Sequence, residues 1–239
     1  MDKIKKLQEM IDTSHNIVFF GGAGVSTESG IPDFRSQDGL YNQTYDYPPE
    51  RILSHTFFYF RPDIFYNFYR EKMLFLDAAP SRPHEFLVEL EKKGKLSAIV
   101  TQNIDGLHQA AGSQTVYELH GSVLRNYCLK CHKFYSAKEI KTSTGIPQCS
   151  CGGLIKPDVV LYEEGLDEQT IQNTIHAISN ADMLIVGGTS LNVYPAASFI
   201  DYFQGNNLVL INKSTTPYDN RADLVIHDSL GDVFSKIKL

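Results

Sequence analysis

What this 239-residue chain lacks narrows its class before any motif is read. No apolar run is long enough to span a bilayer, which argues against a membrane protein. Charge is not gathered either: 22 Lys+Arg and 28 Asp+Glu leave a formal net charge of -6 with no block of one sign. The continuous basic stripe that duplex nucleic acid or an anionic membrane would demand is therefore missing. The N-terminus has no apolar centre of the signal-peptide kind. Residues 1–13 are charged, with Ile4, Leu7 and Ile11 on one side, the pattern of a surface helix. Internal repeats, low-complexity tracts and flexible linkers are absent. A cytoplasmic globular monomer with no direct nucleic-acid or membrane contact is expected.

Cysteine is missing from the whole chain except one short window, where Cys128, Cys131, Cys149 and Cys151 lie together. Two disulfides would suit a small secreted domain, but without an export signal a reducing compartment disfavours them. Four thiolates as Cys-x-x-Cys and Cys-x-Cys suit tetrahedral zinc, closed to water and hence structural.

Short apolar runs at 16–20, 96–101, 183–187, 208–211 and, more weakly, 224–226 read as buried strands. Amphipathic stretches of helical length, such as 83–93 and 167–180, fall between several of them. Alternating strands and helices predict an α/β fold with a parallel sheet covered on both faces, and ligands at the carboxyl ends of its strands. Two segments interrupt the alternation. Residues 40–79 are dense in Tyr and Phe, and 122–157 carry the cysteines with little apolar periodicity. They are expected to form a small lobe inserted into one domain spanning 1–239, with 122–157 the zinc-binding module and 40–79 its helical part. With few Lys or Arg interleaved, the aromatics of 57–69 fit helix packing and an apolar pocket better than base stacking.

Three constellations could carry chemistry. The first strand runs into Gly21-Gly22-Ala23-Gly24, followed by Val25-Ser26-Thr27 and Gly30-Ile31-Pro32-Asp33-Phe34-Arg35. Such a turn lets backbone approach a diphosphate at a helix start, or merely joins strand to helix. The acidic residue that a hydride-transferring dehydrogenase would present about twenty positions later, on a second strand, is not there. Thr101-Gln102-Asn103-Ile104-Asp105-Gly106-Leu107-His108 begins where a strand ends; its amides and carboxylate suit a carboxamide ligand, or a helix cap. His120, beside Gly121, is either a structural histidine or a general base.

Taken in order, GAGVS (22–26), GIPDFR (30–35), TQNIDGLH (101–108), His120-Gly121, the cysteine knuckles and GTS (188–190) with NVYPAA (192–197) resemble the sirtuin family along nearly the whole chain. Within it, the chain is most similar to small bacterial deacetylases. The resemblance implies a Rossmann-like parallel sheet with a small zinc lobe, and an NAD-dependent protein-lysine deacetylase. NAD would be consumed as co-substrate: nicotinamide leaves, the acyl-lysine oxygen attacks the ribose carbon, and lysine and acyl-ADP-ribose are released. His120 would be the general base, with Asn103 the second catalytic residue. Ala23, Gly24, Thr27, Phe34 and Arg35 would hold the diphosphate and close over it, Phe34 shielding the reacting carbon from water. Gln102, Ile104 and Asp105 would shape the nicotinamide pocket; Gly188, Thr189, Ser190, Asn212 and Asp228 would hold the adenosine end. Cys128, Cys131, Cys149 and Cys151 would bind one Zn2+.

The acyl-lysine peptide would add as a strand between 159–163 and 192–194, contacting Val160, Tyr162, Asn192 and Val193. Two positions depart from the family pattern. Glu163 stands where a glycine is usual, which predicts altered loop angles or peptide preference. Tyr66 matches the tyrosine of members that favour succinyl or malonyl groups, but Tyr69 stands where their arginine would be, so neutral acyl groups are expected. Rival readings are an NAD hydrolase or ADP-ribosyltransferase using the same pocket, and a zinc-ribbon binding module.

Overall fold

Strand β1 (Ile17–Gly21) has all five residues buried, in a computed structural model that describes residues 2–34, 39–40 and 45–239. A strand covered on both faces has no polar side to show, which is why IVFF reads as an unbroken apolar run. Its side chains still alternate: Ile17 and Phe19 join one apolar cluster, Val18 and Phe20 the other. β1 pairs in parallel with β2 (Leu96–Thr101) on one edge and β7 (Met183–Gly187) on the other. With β3 (Val116–Glu118), β8 (Asn207–Ile211) and β9 (Leu224–Ile226) the order is β3-β2-β1-β7-β8-β9, every pairing parallel. Three of these strands, β2, β7 and β9, coincide with the apolar runs, β8 begins one residue earlier and β1 is shifted by one. β3 gave no signal, being three half-buried residues at the sheet's edge.

Helices cover both faces. On one, α1 (Lys3–Thr13), α5 (Arg82–Lys92) and α9 (Leu230–Phe234) bury Leu7, Ile11, Leu90 and the stacked pair Phe86–Phe234, with ring centroids 4.2 Å apart. On the other, α8 (Glu168–Asn180) and a 3₁₀ segment (Ala196–Tyr202) bury Ile178, Leu184 and Phe199. α8 starts where Asp167 accepts from the Thr170 amide at 2.8 Å, satisfying one of the donors that a helix start leaves unpaired. Among the described residues no helix is long and apolar enough to cross a membrane.

Between β1 and β2 come α2 (Pro49–Ile52), α3 (His55–Phe60) and α4 (Pro62–Lys72). They pack on a second, antiparallel sheet of order β5-β4-β6, made of β4 (Gly121–Cys128), β5 (Phe134–Ser136) and β6 (Ile155–Val159), with α7 (Ala137–Thr142) beside it. One apolar cluster joins the helices to this sheet through Phe57, Phe65, Tyr69, Val123, Ile155 and Val159. The aromatics of α3 and α4 thus pack helices, but Tyr59 and Phe60 face solvent, at 51% and 78% exposure. The sheet itself was not legible, because a register shift between Ser122 and Asn126 breaks the alternation that would have marked β4.

Candidate active site and metal centre

The chain leaves β1 toward one edge of the sheet and β7 toward the other, so a crevice opens at their carboxyl ends. Gly21 lies opposite Gly187 there. The loops beyond touch backbone to backbone. A Cβ on Gly24 would sit 2.7 Å from Gly188 Cα, and one on Gly188, whose φ is +62°, would sit 2.6 Å from the Val25 nitrogen. Neither position tolerates a side chain.

The crevice encloses about 1170 Å³, more than the roughly 300–1000 Å³ of an ordinary small-molecule site. It collects the sequence candidates Ala23, Gly24, Thr27, Phe34, Gln102, Asn103, Ile104, Asp105 and His120. Val160, Tyr162, Gly188, Thr189, Ser190, Asn192, Val193, Asn212 and Asp228 line it as well. Arg35 lies outside the described residues. One expectation fails: among the described residues no α-helix follows directly on the glycine turn, and two single-turn 3₁₀ segments, Ala23–Val25 and Thr27–Ser29, stand in its place. The amides of Gly22 and Gly24 are spent on the carbonyls of Gly187 and Gly188, at 3.2 and 2.8 Å, so they tie the two loops together.

His120 ends the short link from β3 to β4. Its Nδ1 lies 2.9 Å from the Gln102 carbonyl oxygen. A carbonyl can only accept, so Nδ1 carries the proton and Nε2 keeps its lone pair. Burial pushes the imidazole below its ordinary value, with the Gln102 bond opposing in part, and the ring stays neutral at neutral pH. Gly121 is required for a reason other than room for substrate: its φ is +73°, and a Cβ there would overlap the Asp158 carbonyl.

Asn103, Ser26 and Asp105 form a chain with a fixed direction. Ser26 Oγ is 2.7 Å from Asp105 Oδ2, and Asn103 Nδ2 is 3.1 Å from Ser26 Oγ. An ionised carboxylate only accepts, so the serine proton points to Asp105 and the serine lone pair takes the Asn103 amide. This orients Asn103 with its Oδ1 outside the chain. Asp105 Oδ1 meanwhile accepts from Leu107 N at 2.9 Å, at the start of α6 (Leu107–Ala111). This carboxylate therefore caps the start of α6 and lines the crevice at once. Ser26 was not singled out from sequence, since its partners lie 77 and 79 residues away.

At the far end Gln102 Nε2 donates to Thr189 Oγ1 at 3.0 Å, joining the β2 and β7 loops. Asn212 donates its side-chain amide to the Ser214 carbonyl at 3.0 Å, and Asp228 Oδ1 accepts from Ser229 N at 2.8 Å. Thr27 Oγ1 donates to Gly24 O at 3.1 Å, while Phe34 and Ile104 pack against the small lobe's apolar cluster.

On the lobe side, Val160 N donates to His120 O at 3.0 Å and Tyr162 N to Leu53 O at 3.0 Å, so segment 160–162 bridges β4 and the helices. Residues 192–194 form no strand. Glu163 keeps a left-handed backbone, φ +76°, in spite of its side chain. Also lining the crevice are Leu53, Met73 and Val123, which sequence reasoning missed because nothing local marks which buried side chains meet a cavity, and Tyr69, which the resemblance had put at the position that selects the acyl group.

The four cysteine Sγ atoms lie within 4.8 Å of one another. Cys128–Cys151 and Cys131–Cys151 are 3.5 Å apart and Cys131–Cys149 3.6 Å, far beyond the roughly 2.05 Å of a disulfide. Four thiolates about 2.3 Å from one zinc would stand about 3.8 Å from each other, so the cluster fits a structural Zn2+. The tight Cys-x-Cys knuckle is built by a turn: Gly152 N donates to Cys149 O and Cys149 N to Gly153 O, both at 2.8 Å, with Gly152 at φ +78°.

Comparison with known proteins adds an independent finding. The Sir2 family model matches residues 22–195. NAD-dependent protein deacetylases of Clostridium acetobutylicum and Clostridium perfringens are each 61% identical, over 99% of this chain and 98% of their own. One from Staphylococcus aureus is 45% identical over 98% of this chain and 97% of its own. Among solved structures, a Sir2 with deacetylated p53 peptide and 3'-O-acetyl ADP-ribose superposes with a TM-score of 0.90 at 37% identity, covering 98% of this chain and 96% of that one. A Sir2 with p53 peptide and NAD+ gives 0.86 at 38% identity, with the same coverage.

Proposed function

This chain belongs to the Sir2 family, and on that premise we propose how its own residues serve an NAD-dependent protein deacetylase. It acts on acyl-lysine and moves the acyl group to ADP-ribose with release of nicotinamide. When bound, NAD supplies the sugar carbon that receives the acyl oxygen. Everything else falls to the chain. Ala23, Gly24, Thr27, Phe34 and Arg35 embrace the diphosphate, and Gly188, Thr189, Ser190, Asn212 and Asp228 the adenosine end. Asn103, aligned by Ser26 and Asp105, works with Gln102, Ile104 and Asp105 at the carboxamide. His120 Nε2 takes the proton from a ribose hydroxyl, and Phe34 keeps water from the reacting carbon.

The observation that carries this reading is the His120 tautomer: Nδ1–H is spent on Gln102, which leaves a neutral base in the same crevice as the oriented Asn103. The peptide lies against Val160, Tyr162, Asn192 and Val193. The zinc is structural, held by the four cysteines of a 122–157 module inserted into a single 1–239 domain, with 40–79 the helical part of the lobe. Their shared apolar cluster supports that division. A cytoplasmic monomer is proposed, and the net charge of -6 supports the absence of a direct hold on nucleic acid or an anionic membrane.

Incubation with NAD and an acetyl-lysine peptide tests the reading by mass spectrometry. Acetyl-ADP-ribose and free lysine should appear in step with nicotinamide, and His120→Ala should abolish them. Nicotinamide release with no acetylated sugar product would point to hydrolysis or ADP-ribosyl transfer and overturn it.

A further inference from the structure

Helix α4 places Tyr66 and Tyr69 one turn apart, both fully buried. Their hydroxyls fare differently. That of Tyr66 donates to the Ile155 carbonyl. That of Tyr69 has no partner, although the residue lines the crevice and its ring stacks on Phe65 with centroids 5.5 Å apart. Tyr69 belongs to the apolar cluster that also holds Val123, Val159 and Leu161, the residues flanking the His120-Gly121 link. A buried donor left unpaired is a standing penalty that phenylalanine would fill the same space without. An acceptor arriving from the crevice would relieve it.

The surroundings specify which acceptor. Arg70 is turned away, its guanidinium donating to Ser143 Oγ, Asn67 Oδ1 and the Gly145 carbonyl. Lys72 lines the crevice but is paired with Glu71 at 3.0 Å. The other lysine lining the crevice, Lys213, follows Asn212 in the loop after β8, away from the lobe side where Tyr69 sits, so no cation beside Tyr69 among the described residues is left to pair with an acyl carboxylate. Burial, with Tyr66 and Asp158 adding to it, holds the Tyr69 phenol well above its ordinary value, so it remains a neutral donor.

We propose that Tyr69 is a specificity-determining residue that favours acyl groups carrying a neutral acceptor oxygen, a hydroxyl or keto group a few carbons from the amide, over plain chains of equal length. The inference rests on the deacylase reading and names the substrate class of that same site.

The test pairs 3-hydroxybutyryl-lysine with butyryl-lysine in one peptide sequence, with acetyl-lysine as reference. One net hydrogen bond corresponds to a preference of roughly two- to tenfold in kcat/KM for the hydroxylated chain. In Tyr69→Phe the ratio should fall to about one, while in Tyr66→Phe, whose hydroxyl is already spent, it should persist. Wild-type protein that prefers butyryl-lysine, or a ratio that Tyr69→Phe leaves unchanged, overturns the proposal. The wild-type ratio alone decides it should the variant fail to fold. Absence of acetyl-lysine turnover by the wild type is a different failure, that of the deacylase reading.

Discussion

Glu163 Oε2 accepts a hydrogen bond from the Thr56 amide at 2.8 Å. It ties the segment beside His120 to the first turn of α3. Ser54 caps that turn as well, accepting from Phe57 N at 3.2 Å. The left-handed backbone at Glu163 is the conformation a glycine adopts freely, and here a non-glycine residue holds it with its own carboxylate as compensation. Glu163 thus holds a glycine-like backbone in place of the altered loop angles expected from its sequence, and adds a fastening to the small lobe.

Glycine and alanine at this position should therefore separate. Glu163→Gly loses the bond but relieves the backbone, so its melting temperature should stay near wild type. Glu163→Ala loses the bond and keeps the strain, and should melt lower than Glu163→Gly by about 2–4 °C. Thermal unfolding of the two variants side by side checks this, and equal midpoints would remove the strain argument.

At Gly121 no such compensation is open. A methyl group there would overlap the Asp158 carbonyl, in the β4–β6 ladder and one residue from His120. Gly121→Ala should lower the melting temperature clearly and cut kcat at least tenfold, because the ladder must shift and carry His120 with it. Normal turnover in a stable variant would show that the backbone here is softer than the contact implies.

Much of this architecture was legible because buried parallel strands leave an unbroken apolar signature, and four of them stand where Leu96, Met183, Leu208 and Leu224 announced them, to within a residue. The cysteine cluster was legible for a chemical reason, since four thiols in one window have few other uses. What stayed hidden depends on contacts between distant segments. Ser26 acquires meaning only when β1 and β2 bring it beside Asp105. The lobe's sheet hid behind its bulge, and Tyr69, though placed by sequence where other members carry an arginine, shows its unpaired hydroxyl only once the packing around it is known.

The cysteines close the excursion between β4 and β6 that carries β5 and α7, which adds only Ala137 and Ile140 besides the cysteines to the buried apolar cluster of the lobe. Cys128 and Cys149 are buried, but Cys131 is exposed. Removing zinc should therefore open the 128–151 segment first, with the large sheet intact. Limited proteolysis after chelation should cleave within that segment, and the far-ultraviolet dichroism should fall only slightly. Cys131→Ser should reproduce the cleavage without chelator.

His120 must be neutral to act as a base, and burial holds its imidazole below the ordinary histidine value of about 6.5. The acid limb of kcat/KM against pH should accordingly lie below pH 6.5, with a plateau through neutrality. His120→Ala should lose roughly 100- to 10,000-fold in kcat while remaining folded, because among the described residues its side chain gives up one hydrogen bond, to the Gln102 carbonyl. A limb centred above pH 7 would assign the base to another group.

Acid stability should be governed by a different histidine. His108 is fully enclosed with neither ring nitrogen bonded, 4.9 Å between centroids from His84. Burial, with His84 contributing, pushes it down to about 3, and burial lowers His84 too, against the pull of Asp105 and the Ser81 bond. A proton then binds the unfolded chain more readily than the folded one. The stability that His108 leaves intact above about pH 6.5 should be lost progressively as pH falls toward 3, with a slope approaching 1.4 kcal/mol per pH unit for each such group. Urea unfolding at a series of pH values measures that slope, and His108→Phe, which fills the site with a ring that cannot protonate, should flatten it. An unchanged slope in a folded His108→Phe protein would place the acid-sensitive proton elsewhere.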